Sequence, residues 1–340
     1  MSPEGSILAI SFSVLGILGL FSIGAIVYVY RFRGTVRWNG FGEYVRKGWP
    51  IFAPLNCLLY LFTERRAARP IMNMQDFPEL TLLQDNWKII SEEAINLQEQ
   101  KYFEQTNKPD TTAFYDLGFR TFYKYGWSKF YLKWYGHTHE SARRLCPNTV
   151  EVLSRVPVVK GAMFSVLPAG SKLTRHLDPM ACSLRYHLGL ATPNENECYI
   201  SIDGIPYSWR DGEAFMFDET YLHHAHNGTS HCRVIMMCDV ARPMSNAGRL
   251  INLMYSGLAR MTVVPNMDGD KIGAVNILLA ALAPVLKGTK SIKQSNRTLY
   301  LAIKYFVNTA MVVLFMSVVA VLAYVIATLA GSFSMMFGQS

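Results

Sequence analysis

The stretch ECYISIDGIPYSW, residues 197–209, reads as two short strands joined by Asp203-Gly204. An Asp-Gly pair tolerates the positive φ that a type I′ turn requires, so the alternating residues on either side are the arms of an antiparallel hairpin. Outward from this tip the same period of two continues. It runs back through SLRYHLGLAT (183–192) and VVKGAMFSVLPAG (158–170), and forward through GEAFMFD (212–218) and CRVIMMCDVA (232–241). Short apolar runs punctuated by Gly, Pro, Asn and Asp predict antiparallel strands, and hence a β-sandwich or barrel core over residues 158–245.

Upstream of this core the period changes. From about 77 to 108 the apolar residues recur at helical spacing with acids on the other face, so residues 76–157 are expected to be a helical support region. The six cysteines include no CxxC pair and lie mostly in apolar, strand-like contexts, which implies reduced core residues and neither disulfides nor a zinc site.

The chain ends are more apolar still. Residues 7–30 carry no charge, and neither do residues 305–340; each run exceeds the ~20 residues a helix needs to cross a bilayer. Residues 1–30 are therefore expected to be an N-terminal anchor and residues 305–340 a C-terminal transmembrane helix. MSPEGS has no Lys or Arg and Arg31 follows the first run directly, which argues against a cleaved signal peptide. Two shorter runs, 51–62 and 272–286, each hold a proline and are expected to lie in the interface or re-enter. They fall within a basic juxtamembrane segment, 31–75, and an interfacial and basic segment, 246–304.

Charge gives orientation. Of the net +8, residues 31–69 hold +6 and residues 287–304 hold +5, leaving the rest slightly acidic. Basic residues beside both apolar runs place the central domain in the cytoplasm, at the bacterial inner membrane. The same placement accounts for the basic excess without a nucleic-acid partner.

The residues that carry chemistry sit in the β-core. His176-Leu177-Asp178 offers two ligand types two residues apart, which on a strand would point to one face. A second imidazole would complete a two-histidine, one-carboxylate set, the donor set of non-haem Fe(II) oxygenases that leaves positions open for a chelating cosubstrate and O2. His223, His224 and His226 compete for this place. The ten-residue spacing to Arg233 favours His223, with His226 the alternative by strand parity, while His137 and His139 read as loop residues. An arginine inside CRVIMMCDV needs an anionic partner, such as the distal carboxylate of 2-oxoglutarate. Arg185 and His187 alternate on one strand face, and two inward cations imply a bound anion.

HLDP (176–179), SLRYHLGL (183–190) and FDETYLHHAHN (217–227) followed by Arg233 resemble the aspartyl/asparaginyl β-hydroxylase family over about residues 126–243. The resemblance implies a double-stranded β-helix, or jelly-roll, oxygenase core with flanking helices. It implies iron on His176 and His223, and 2-oxoglutarate contacts on Ser165, Arg185, His187 and Arg233. The animal enzymes have glycine where this chain has Asp178, so coordination by Asp178 is inferred from its type and spacing. Membrane segments at both ends resemble the bacterial lipid A acyl-chain 2-hydroxylases. The expected activity is therefore hydroxylation of carbon 2 of a lipid A acyl chain, consuming 2-oxoglutarate and O2. Rival readings are hydroxylation of another lipid, such as an ornithine lipid, or of Asp or Asn in a protein, and a membrane-bound binding module without turnover.

Overall fold

The computed structural model describes residues 3–106 and 126–281, with isolated positions 108, 111, 113 and 116 between them and 292, 295–303 and 306 beyond. It divides into two units, Tyr28–Ala281 and the terminal pieces Met1–Val27 with Leu282–Ser340.

Among the described residues of the larger unit ten strands form two antiparallel sheets. They are β1 (Ser128–Trp134), β2 (His137–Thr138), β3 (Val159–Leu167), β4 (Lys172–His176), β5 (Ser183–Ala191), β6 (Cys198–Ile202), β7 (Ile205–Ser208), β8 (Ala214–Phe217), β9 (His223–Asn227) and β10 (Arg233–Ala241). The orders are β2-β1-β3-β10-β5-β8 and β4-β9-β6-β7.

The pairing explains how residues 158–245 become a jelly roll. β6 pairs with β7, β5 with β8, β4 with β9 and β3 with β10. These pairs are nested, so the region is one long hairpin wound into two facing sheets, and its tip is Asp203-Gly204. Both tip residues take positive φ, 49° and 89°, as the turn demands. Gly189 marks the closest approach within the roll, since a Cβ there would strike the Arg210 carbonyl.

Period-two alternation divides the six-stranded sheet into two apolar faces. Its outer face, including Phe130, Phe164, Tyr186 and Met236, packs against Leu83, Ile90 and Leu97 of the helical region. Its inner face presents Met163, Phe217 and Ile235 to Ile200, Ile202 and Ala225 of the smaller sheet, which closes the sandwich.

The helical region runs α4 (Thr81–Asp85), α5 (Trp87–Glu99), α6 (Tyr102–Thr106), α7 (Glu140–Leu145) and α8 (Pro147–Ser154), after α1 (Pro3–Arg31), α2 (Phe41–Lys47) and α3 (Ala53–Phe62). Glu93 departs from the expectation that the acids of this region face solvent. It is buried and accepts four hydrogen bonds from Asn148 and Thr149, where a carboxylate satisfies the free N–H groups at the start of α8.

Among the described residues no helix is long and apolar enough to cross a membrane. The expected N-terminal anchor, residues 1–30, falls largely on α1, and no span is established there. Apart from Phe306, the expected second anchor lies outside the described residues. Of the shorter runs, 51–62 gives α3, ten residues and too short to span, while 272–286 holds α10 (Ala274–Ala281) and its residues 282–286 lie outside the described residues. Cys146, Cys182, Cys198, Cys232 and Cys238 are free thiols.

Candidate metal and cosubstrate site

β4 ends at His176 and β9 begins at His223, and the two are cross-strand partners. Their rings lie 4.2 Å apart between centroids. The His176 Nδ1 lies 2.9 Å from the Thr174 carbonyl and the His223 Nδ1 lies 2.9 Å from the Tyr221 carbonyl. A carbonyl only accepts, so each Nδ1 carries the proton and each Nε2 is left with its lone pair.

Asp178 lies past the end of β4, so the face-sharing expected of a strand does not bring it to His176. Instead the loop turns back and its amide donates to the Glu219 carbonyl at 2.9 Å. One carboxylate oxygen then stands 3.5 Å from His176 Nε2 and the other accepts from Arg185 at 2.9 Å. Ligand atoms of His176, Asp178 and His223 all fall within 4.8 Å of one another. This donor set, two imidazoles and one carboxylate, suits Fe(II).

The protonation states agree. Burial opposes ionisation of Asp178, but its contact with His176 and the Arg185 charge hold its carboxyl well below the usual range. Burial, with His176 beside it, pushes His223 down to about 3, so the imidazole is neutral at physiological pH. His224 and His226 lie on the opposite face of β9 from His223, Ala225 and Asn227, so strand parity excludes His226.

Arg185 is surrounded by protein. Besides Asp178 it contacts Glu219, and Asp239 at 3.1 Å. Glu219 also accepts from the Ser183 hydroxyl at 2.8 Å. The anion that Arg185 needs is thus supplied by three carboxylates. Glu219 and Asp239 escaped the sequence reading, although Asp239 is the direct cross-strand partner of Arg185, and β10 parity from Arg233 points it inward.

Arg233 differs. Its side chain is buried with 1% exposure, lies over the Trp209 and Trp127 rings at 4.4 and 5.1 Å, and donates to Ser165 Oγ at 3.4 Å. Among the described residues no carboxylate pairs with it, and its Nε has no partner. Burial draws its pKa down to about 10, so the guanidinium stays charged at neutral pH.

His187 completes this group. Trp209 Nε1 donates to its Nδ1 at 3.2 Å, which places the ring proton on Nε2, and that atom is buried without a partner. Phe217 lies between the two groups, its ring 5.2 Å from His187 and 5.6 Å from His223. A cation, a hydroxyl and an imidazole N–H, walled by aromatic rings, make a pocket for an anion beside the metal ligands.

Residues 84–243 match the sequence profile described as Aspartyl/Asparaginyl beta-hydroxylase. This segment belongs to that family. Among curated relatives, an ornithine lipid ester-linked acyl 2-hydroxylase of Rhizobium tropici is 34% identical over 148 residues, 43% of this chain and 53% of that protein. The human aspartyl/asparaginyl β-hydroxylase is 28% identical over 166 residues, 47% of this chain and 21% of that protein. The chain thus spans about half or less of the length of these family members. A solved prolyl-4-hydroxylase of Pseudomonas putida is 14% identical, with a TM-score of 0.25 over 34% of this chain and 72% of that one.

Proposed function

We propose that this chain is an Fe(II)- and 2-oxoglutarate-dependent hydroxylase that acts on carbon 2 of a membrane-lipid acyl chain, with lipid A as the substrate. The observation that carries the reading is the pairing of a His176–Asp178–His223 donor set with a buried Arg233–Ser165–His187 group for which no described residue supplies a counter-anion. A 2-oxo dicarboxylate has two ends, and the two groups answer them separately.

Bound iron supplies the capacity to couple oxidation of 2-oxoglutarate to succinate and CO2 with insertion of one O2 oxygen into a C–H bond. The residues do the rest. Arg185 keeps Asp178 ionised and aimed at the two imidazoles. The Thr174 and Tyr221 carbonyls fix the ring tautomers. Arg233 and Ser165 receive the distal carboxylate, while Trp209 sets the His187 proton so that Nε2 can donate to the bound acid. Phe215, Phe217 and Trp209 exclude water from this space, which strengthens each of these contacts.

The apolar runs at 7–30 and 305–340 would hold the domain at the bacterial inner membrane with the site facing the cytoplasm, where lipid substrates meet it in two dimensions. The Rhizobium tropici relative favours a second reading within the same chemistry, with an ornithine lipid acyl chain as substrate. Mass spectrometry of lipids from cells expressing the chain or its His176→Ala form tests both. One added oxygen on lipid A that vanishes in the variant supports the first reading, the same shift on an ornithine lipid supports the second, and neither shift overturns both.

A further inference from the structure

The larger unit carries an apolar face that the reaction does not use. The helix Asn246–Arg260, α9, presents Leu250, Leu253, Met254 and Leu258 to solvent, with Met261 just beyond; all are between 46 and 70% exposed. Their spacing of three, four, eight and eleven residues from Leu250 makes one continuous stripe. The helix is held from another side, where Gly248 abuts Phe62 and Ile251 packs with Leu59 and Met244 of the α3 cluster. α3 exposes Leu58 and Leu61, and α2 and the turn after it expose Phe41, Val45 and Trp49 at every fourth residue.

Charge indicates what would cover this face. α3 and α9 contain no acid, and the ionised side chains bordering the stripe are Arg249, paired with Glu64 at 3.9 Å, and Arg260, with Arg46 and Lys47 against the single Glu43 on α2. Large aliphatics bordered by more cations than carboxylates complement an anionic bilayer surface. The apolar run 7–30 also ends here, since Tyr30 packs on Phe41 and Tyr44.

The same elements hold the metal-site loops. The Leu177 amide donates to the Lys47 carbonyl, Asn56 bonds Pro179 and Ala181 on either side, and Asn252 of α9 donates to Cys182. Arg33, sandwiched between the Tyr60 and Tyr221 rings, bonds Asp218 and Thr220. The loop that carries Asp178 and the loop that leads into β9 at His223 are thus buttressed from this face.

We propose that α2, α3 and the exposed stripe of α9 form a membrane-docking face that seats the larger unit on an anionic lipid surface, with the metal-site loops held against it. The use of this face in delivering an acyl chain rests on the lipid-hydroxylase reading; the docking itself does not.

The test takes the full chain in vesicles of equal parts phosphatidylcholine and phosphatidylglycerol, with a trace of phosphatidylcholine bearing a diazirine on its tail. After irradiation, lipid adducts are expected on residues 41–61 and 246–261 and not on α5. Replacing Leu253 and Leu258 together with Glu, both exposed, should remove the α9 adducts and slow hydroxylation of vesicle-borne lipid about tenfold or more. Lipid-free conversion of 2-oxoglutarate should stay unchanged, which separates docking from damage to the site. Adducts confined to the terminal runs, or α9-to-α9 cross-links marking a second copy as the occupant, would overturn the proposal. Adducts on α9 without any lipid hydroxylation by the unmodified chain would support docking and overturn only the substrate reading.

Discussion

Arg185 and Arg233 point into the same sandwich from β5 and β10, yet one is surrounded by three carboxylates and the other by two tryptophans and a serine. Charge matching explains both. Around Arg185 stand three acids: Arg185 holds Asp178 ionised, while burial pushes Glu219 and Asp239 up, so the anionic oxygen of Asp178 stands beside two imidazoles, where a divalent cation gains most. Around Arg233 no described residue supplies an anion, and a buried cation without a counter-ion is costly unless something brought from outside answers it. A site that needs a metal at one end and a dicarboxylate at the other is built from these two opposite imbalances.

The largest expected effect isolates the first end. His176→Ala or His223→Ala should reduce succinate formation to background, because two remaining donors hold Fe(II) too weakly. Turnover near that of the unmodified chain in either variant would break the assignment of the metal end.

Exchanging each arginine for methionine sharpens the contrast, since both variants keep bulk and remove charge. Arg185→Met leaves three carboxylates facing one another and should lower unfolding stability by about 3 kcal/mol or more, read as a fall in the melting temperature without cosubstrate. Arg233→Met should leave that melting temperature unchanged or raised, because it removes an unpaired buried cation. It should nevertheless raise the 2-oxoglutarate concentration needed for half-maximal rate on the order of a hundredfold, the cost of losing a buried charge-assisted contact. Added 2-oxoglutarate should then stabilise the unmodified chain much more than the variant. Equal destabilisation by the two substitutions would erase the distinction.

A smaller effect concerns His187. Trp209→Phe retains an aromatic ring over Arg233 but removes the only donor that fixes the His187 tautomer among the described residues. The half-saturating 2-oxoglutarate concentration should rise severalfold, the scale of one neutral hydrogen bond, with little change in maximal rate. A fall in maximal rate at saturating cosubstrate would instead place His187 at the metal end.

The order in which these features became readable follows their physical origin. Period-two alternation and the Asp203-Gly204 turn are local, and they marked the core because each strand's neighbours in sequence decide its two faces. The nesting of β3 with β10 and β4 with β9 is long-range and needed the coordinates. His176 and His223 were legible as residue types, but the position of Asp178 was not. It depends on the Glu219 carbonyl and on Arg185, some forty and seven residues away, and loop residues have no periodicity to reveal them. Arg185 looked like a cation in search of a ligand because its partner Asp239 lies on a strand whose pairing the sequence does not state. The buried Glu93 was lost for a similar reason, as a helical acid reads as solvated unless the helix end it caps is known.

The smallest expected effect lies far from either arginine and serves as their control. His139 is buried, lies near Asp270 and His137, and bonds the Val264 carbonyl through Nε2 at 2.9 Å; burial draws its pKa down to about 4. His223, at the metal end, is drawn down to about 3 by burial and His176. Both therefore bind protons more readily unfolded than folded between these values and about 6.5, so metal-free stability should fall as pH drops through that window. Each group contributes at most about 1.4 kcal/mol per pH unit. His139→Gln keeps a donor for Val264 and removes one titrating group, and it should flatten the slope of melting temperature against pH between about 4 and 6.5 without moving the 2-oxoglutarate requirement. A slope that is unchanged would mean that His139 is already accessible to protons in the folded chain, whereas a changed cosubstrate requirement would tie this remote histidine to the Arg233 pocket and blur the separation of the two ends.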